Sequence, residues 1–86
     1  DILVATWNDR VKLFENRVAP GRSLSVRLTG NASNPHGFGA VVRARTGDWN
    51  QIRVNDGVDI FGQSVLPIHF GLGSATTVDT LEVTWP

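Results

Sequence analysis

The sequence predicts an all-β domain, a small antiparallel β-sandwich, with a small open barrel as the alternative. Three observations carry that reading. Nine glycines and four prolines cut the 86 residues into short runs rich in Val, Ile, Leu, Thr and Trp. Within several runs apolar and polar residues alternate, as a strand with one buried face requires. No window sustains the 3.6-residue apolar period of a helix.

The elements follow in order. Ile2-Leu3-Val4-Ala5 reads as a short buried-type strand, and Val11, Leu13 and Phe14 mark a second. Trp7-Asn8-Asp9-Arg10 between them reads as a hairpin turn, because Asn and Asp tolerate the left-handed backbone of a tight turn. Residues 17–22, with Pro20-Gly21, read as a linker. From Ser23 to Thr29 the residues Leu24, Val26 and Leu28 share one face, and Ser25, Arg27 and Thr29 the other. Gly30 to Gly39 is a polar loop. Ala40 to Thr46 resumes as a strand with Val42 and Ala44 inward and Arg43 and Arg45 outward. Gly47-Asp48 turns the chain, and Trp49 to Asn55 returns with Ile52 and Val54 on one face. Val58 to Phe61 is a short strand. Leu66 to Phe70 is another, whose Pro67 marks an edge or a start. The stretch His69-Phe70-Gly71-Leu72-Gly73 then reads as a rigid glycine turn into a last strand, where Leu81, Val83 and Trp85 share a face. Six strands from Ser23 onward, spaced at roughly 8–12 residues, favour the sandwich.

Bulk properties exclude several function classes. Eight basic residues balance eight acidic ones. A near-zero net charge argues against a dedicated binder of nucleic acid or of an anionic membrane. No apolar run approaches the roughly 20 residues of a spanning helix. Cysteine is absent, so neither a disulfide nor a thiolate is available. A chain this short buries only about 60 % of the surface it exposes when unfolded, so support from a neighbouring domain is expected.

Candidate chemistry is sparse. A catalytic use of His36 or His69 would need an acid such as Asp56 or Asp79, or a serine, but no nucleophile elbow or paired acid and base surrounds them. His69 is expected to hydrogen-bond a loop carbonyl and His36 to be solvated. No spacing of His and acids matches zinc. Asn55-Asp56-Gly57-Val58-Asp59 is the one acidic turn dense enough to suggest calcium, through Asp56 and Asp59. The pairs Gly37/Gly39 and Gly71/Gly73 precede no helix, so they read as turn glycines and not as phosphate loops. Trp49, in Gly47-Asp48-Trp49-Asn50-Gln51, is the aromatic expected at an exposed tip, where its face could stack on a sugar ring while Asn50 and Gln51 bond hydroxyls. Arg27, Arg43, Arg45 and Arg53 would form a basic stripe able to meet a carboxylate or sulfate if their strands were neighbours. Asn31-Ala32-Ser33 has the form of an N-glycosylation sequon.

Several of these segments together resemble the ASPIC/UnbV domain. The loop reads Ser33-Asn34-Pro35-His36-Gly37-Phe38-Gly39-Ala40, the middle carries Gln51-Ile52-Arg53 with Gly57, and Phe61-Gly62-Gln63-Ser64 follows. His69-Phe70-Gly71-Leu72-Gly73 and Val78-Asp79-Thr80-Leu81-Glu82-Val83-Thr84-Trp85-Pro86 complete it. The resemblance covers residues 23–86, about three quarters of the chain. Residues 1–16 are similar to the tail of an FG-GAP/VCBS propeller repeat, with Asp1 as the last acid of a calcium loop. The resemblance implies a non-catalytic interaction or structural module at the C-terminal end of a secreted or cell-surface protein (the periplasm included). Its first partner would be an adjoining β-propeller, with calcium, if any, mainly in that propeller's loops. An extracellular protein or a glycan would be the outside partner. The glycan reading draws on Trp49, Asn50, Gln51, Arg43, Arg45 and Arg53.

Overall fold

The structure, a computed structural model, describes residues 1–59 and 62–86, and the side chains outside residues 58–63. It is all-β, with antiparallel pairing throughout and no helix among the described residues. Strands β1 (Ile2–Val4) and β2 (Lys12–Phe14) form an N-terminal hairpin. Strand β3 (Arg22–Val26) pairs with β8 (Ile68–Gly73). Strands β5 (Trp49–Asn55), β4 (Ala40–Thr46) and β9 (Thr80–Thr84) make a three-stranded sheet with β4 in the centre. Strands β6 (Val58–Asp59) and β7 (Gly62–Gln63) close a short hairpin at the end of β5.

The two larger sheets face each other as a small sandwich. Val42 and Ala44 turn inward along β4, as the sequence predicts, and pack with Phe70 of β8; Ala40, on the same face, is also buried. Val42 and Phe70 are the largest fully buried side chains, and Leu24, Val26, Leu28, Ile68 and Val78 pack around them half-buried. The alternation expected from Ser23 to Thr29 survives in burial, though the pairing itself ends at Val26.

The glycine turn expected at residues 69–73 is instead strand. Gly71 pairs with Ser23, and among these residues only Gly73 takes a positive φ, 60°. A β-bulge explains the misreading. Arg22 pairs with Gly73 and Ser23 with Gly71, so Leu72 is the extra residue and turns into the core. Gly71 pairs there with open space where its Cβ would stand, and Gly73 supplies the positive φ that ends the strand.

Ile52 and Val54 do share a face, but it is the outer one, where both are exposed. Register decides this: the inward Ala40, Val42 and Ala44 stand opposite Asn55, Arg53 and Gln51. Leu81, Val83 and Trp85 lie on the inner face opposite Ala44, Val42 and the end of β4, yet stay 40–45 % exposed. A two-stranded sheet does not reach over all three strands beneath it. The expected strand through Ile60 and Phe61 lies outside the described residues.

The N-terminal hairpin stands away from the sandwich. Asn8 (φ 56°) makes its turn, and the Asp1 carboxylate accepts the Asn16 N–H at 2.7 Å, closing the open end. From residue 1 to residue 21 only Val4 is even half-buried. The radius of gyration is 15.6 Å, against about 12 Å for a compact domain of this length.

Candidate functional site

The residues that give the sequence its distinctive wording are bound to one another. In the loop, Asn34 takes a positive φ of 49° and uses its side chain as a two-pronged clamp. Its Nδ2 donates to the Phe38 carbonyl and its Oδ1 accepts the Phe38 N–H, both at 2.8 Å. Asn55 grips the same loop from β5, where its Nδ2 donates to the carbonyls of His36 at 2.7 Å and Gly37 at 3.0 Å. The Gly39 N–H donates back to the Asn55 carbonyl at 2.8 Å. Gly37 (φ 64°) is buried between Leu28 and Trp85, where a Cβ would lie 2.9 Å from each. Gly57 (φ 62°) backs onto the Phe38 ring with no space for a Cβ. These glycines are needed for both conformation and room.

A second lock joins the sheets along one side. The Gln51 Nε2 donates to the Gly71 carbonyl at 2.7 Å, so β5 meets the edge of β8. The Arg53 guanidinium lies 5.2 Å above the centroid of Phe70, a cation–π cover over the main core aromatic. It also donates to the Gln51 Oε1 at 3.2 Å and to the Ile52 carbonyl at 3.0 Å.

Two clefts flank the Leu66-Pro67-Ile68 segment at the loop end of the sandwich. The first, about 310 Å³, is lined by Val26, Leu28 and Ile68 together with Arg27, His36 and Asn55. The second, about 290 Å³, is lined by Arg53, Asn55, Asp56, Ser64 and His69. The His36 ring tilts against Phe38 at 5.7 Å. His69 lies near the start of β8 opposite Ser25, exposed, and its ring makes no hydrogen bond among the described residues, contrary to the expected loop carbonyl. Ser64 accepts the Leu66 N–H at 3.3 Å and has no hydrogen bond to His69, so these groups do not form a linked nucleophile and base.

The residues singled out from sequence are spread over the domain. Trp49 lies half exposed at the tip of the β4–β5 hairpin, on the core-facing side with Gln51 and Arg53, whereas Asn50 points to the outer face. Arg43 and Arg45 also lie on the outer face. Arg43 donates to Glu82 Oε1 at 3.2 Å and to Thr84 Oγ1 at 3.3 Å; Arg45 donates to Thr80 Oγ1 at 3.1 Å. Arg27 lies just past β3 of the opposite sheet and Arg53 over Phe70 on the core-facing side, so the four arginines form no single stripe. Asp56 lines the second cleft, and the Asp59 side chain lies outside the described residues. Among the described residues no three His, Asp or Glu side chains gather as metal ligands would. Sequence reasoning passed over Asn34 and Asn55 as anchors. Their signal was present as Asn beside Gly-rich turns, but their partners are set only by the fold.

The sequence model of the family described as ASPIC and UnbV matches residues 30–86. No curated protein and no solved structure matches the chain.

Proposed function

The chain belongs to the ASPIC and UnbV family, whose members are non-catalytic modules usually carried by propeller-repeat proteins, and from that membership we propose that it packs against an adjoining β-propeller. In this reading residues 1–16 are the last piece of a blade, residues 17–22 a linker, and residues 23–86 an interaction module in a secreted or cell-surface protein. Calcium would belong to the propeller's loops. Such a site takes 6–8 oxygens, and Asp1 would contribute one carboxylate.

One observation supports this above the rest. The β1–β2 hairpin leaves Ile2 64 %, Leu3 70 % and Trp7 89 % exposed. A lone two-stranded hairpin is at best marginally stable in water, and uncovered apolar residues on both strands call for a neighbour. Amide hydrogen exchange tests it by comparing the 86-residue chain with one extended N-terminally through the preceding domain. The amides of Ile2–Val4 and Lys12–Phe14 should exchange freely in the first and be protected in the second. Free exchange in both would sink the proposal.

A glycan-binding role has one supporting observation, the half-exposed Trp49 ring. Asn50 points to the other face and the Gln51 amide is engaged by Gly71, so Trp49 would act largely alone. Trp49→Ala should then abolish binding on a glycan array, and unchanged binding would remove this reading.

A further inference from the structure

The sandwich is closed along one side and open along the other. On the closed side Gln51 ties β5 to β8 and Arg53 covers Phe70. On the open side run two strand edges, β3 above and β9 below. Each has a single partner strand, β8 and β4 respectively, and no residue of β3 has any other backbone hydrogen bond among the described residues. Leu24 and Val26 of β3, with Leu28 just beyond it, turn inward only half-buried, while Leu81 and Val83 of β9 and Trp85 just beyond it lie on the inner face at 45 %, 40 % and 40 % exposure. The lower sheet has three strands and the upper sheet two, so the uncovered strip is one strand wide.

We propose that an extended acidic segment of a partner protein adds to the free edge of β3 and completes the upper sheet. Strand spacing makes the fit specific. A strand placed about 4.8 Å beyond β3 lies over β9, at the roughly 10 Å separation of packed sheets. Its inward residues would touch Leu81, Val83 and Trp85, so they are apolar and alternate. Its outward residues would stand beside Ser23, Ser25 and Arg27. Residues 22–29 carry no acid, and the charged group on that outward face is Arg27, whose side chain makes no ion pair or hydrogen bond among the described residues. Acidic residues at the alternate positions match that charge, and main-chain bonds supply the rest, as in strand addition generally. The inference rests on the domain being an interaction module, but on a surface that the hairpin does not share.

The test is an NMR titration of the 86-residue chain with two synthetic nonapeptides, one alternating Val with Glu and the other Val with Lys. The acidic peptide should slow exchange of alternate amides in Arg22–Val26 about tenfold and shift the Trp85 indole resonance. The basic peptide should do neither. Arg27→Glu, an exposed change that leaves the fold intact, should weaken acidic-peptide binding about fivefold. Three results would overturn the proposal: protection along β9 in place of β3, equal binding of both peptides, or no binding of either. Protection of the β3 edge before peptide is added would do the same. In that case its occupant is a second copy if the protection scales with protein concentration, and the chain's own β1–β2 hairpin if it does not. Hairpin exchange in the extended chain is unaffected by any of these, so this inference and the propeller reading fail separately.

Discussion

Asn34 shows how much of this family's wording is spent on holding a loop. Its one side chain satisfies both backbone groups of Phe38. Asn34→Ala should therefore cost about 1–3 kcal/mol, the usual penalty for part-buried groups left without partners. A lower urea midpoint at an unchanged m-value would record it. Asn34→Asp keeps the acceptor and loses the donor, so its midpoint should fall between. The glycines allow a sharper contrast. Gly47 and Gly57 have nearly the same φ, 59° and 62°, but a Cβ at Gly47 meets nothing within 4 Å whereas one at Gly57 meets the Phe38 ring. Gly47→Ala should cost about 1 kcal/mol of backbone strain, and Gly57→Ala clearly more; paired thermal melts would rank them. The sequence marks both positions as turns. It does not show which one lies against a ring, because Phe38 arrives there only through the loop that Asn34 and Asn55 shape.

Strands were legible where one face is uniformly apolar and obscure where pairing decides the face. Leu24/Val26/Leu28 and Val42/Ala44 alternate plainly, and the structure follows them. β5 offers Ile52 and Val54 on one side and Gln51 and Arg53 on the other. Hydrophobicity alone favours burying the first pair. Its register with β4 turns them outward, because Gln51 and Arg53 gain Gly71 and Phe70 as partners inside. The double change Ile52→Thr with Val54→Thr should then alter stability by no more than about 0.5 kcal/mol, as for exposed positions. Val42→Thr places a hydroxyl in the dry centre and should cost about 1–3 kcal/mol; chemical denaturation separates the two outcomes. The first half of β8 was read as a strand, and its second half was hidden by its glycines and by the bulge at Leu72. The clefts beside Leu66-Pro67-Ile68 had no sequence signal, since they form where residues distant in the chain meet His36, Asn55 and His69.

At the scale of the molecule, a small core and a separate hairpin set the physics. Domains of this length are worth about 4–13 kcal/mol. Phe70→Ala, at about 3–5 kcal/mol, should erase most or all of the cooperative calorimetric transition. Removing residues 1–16 should barely move that transition, because the hairpin contributes almost nothing to the buried set. Small-angle scattering should fall from the 15.6 Å radius of the whole chain toward about 11 Å for the remaining residues. An unchanged radius, or a lost transition, would show that the hairpin is integral to the sandwich. The pairing pattern also sets an order in time. Thr46 and Trp49 are joined by Gly47-Asp48 and can meet at once, whereas Leu24 must wait for Phe70 and Ala44 for Leu81. Folding then begins at β4–β5 and idles until β8 and β9 arrive, a delay that non-local β pairing stretches to milliseconds or seconds. During that delay the inner face of β4 is bare, so the nascent chain is most vulnerable to aggregation just before its last strand docks.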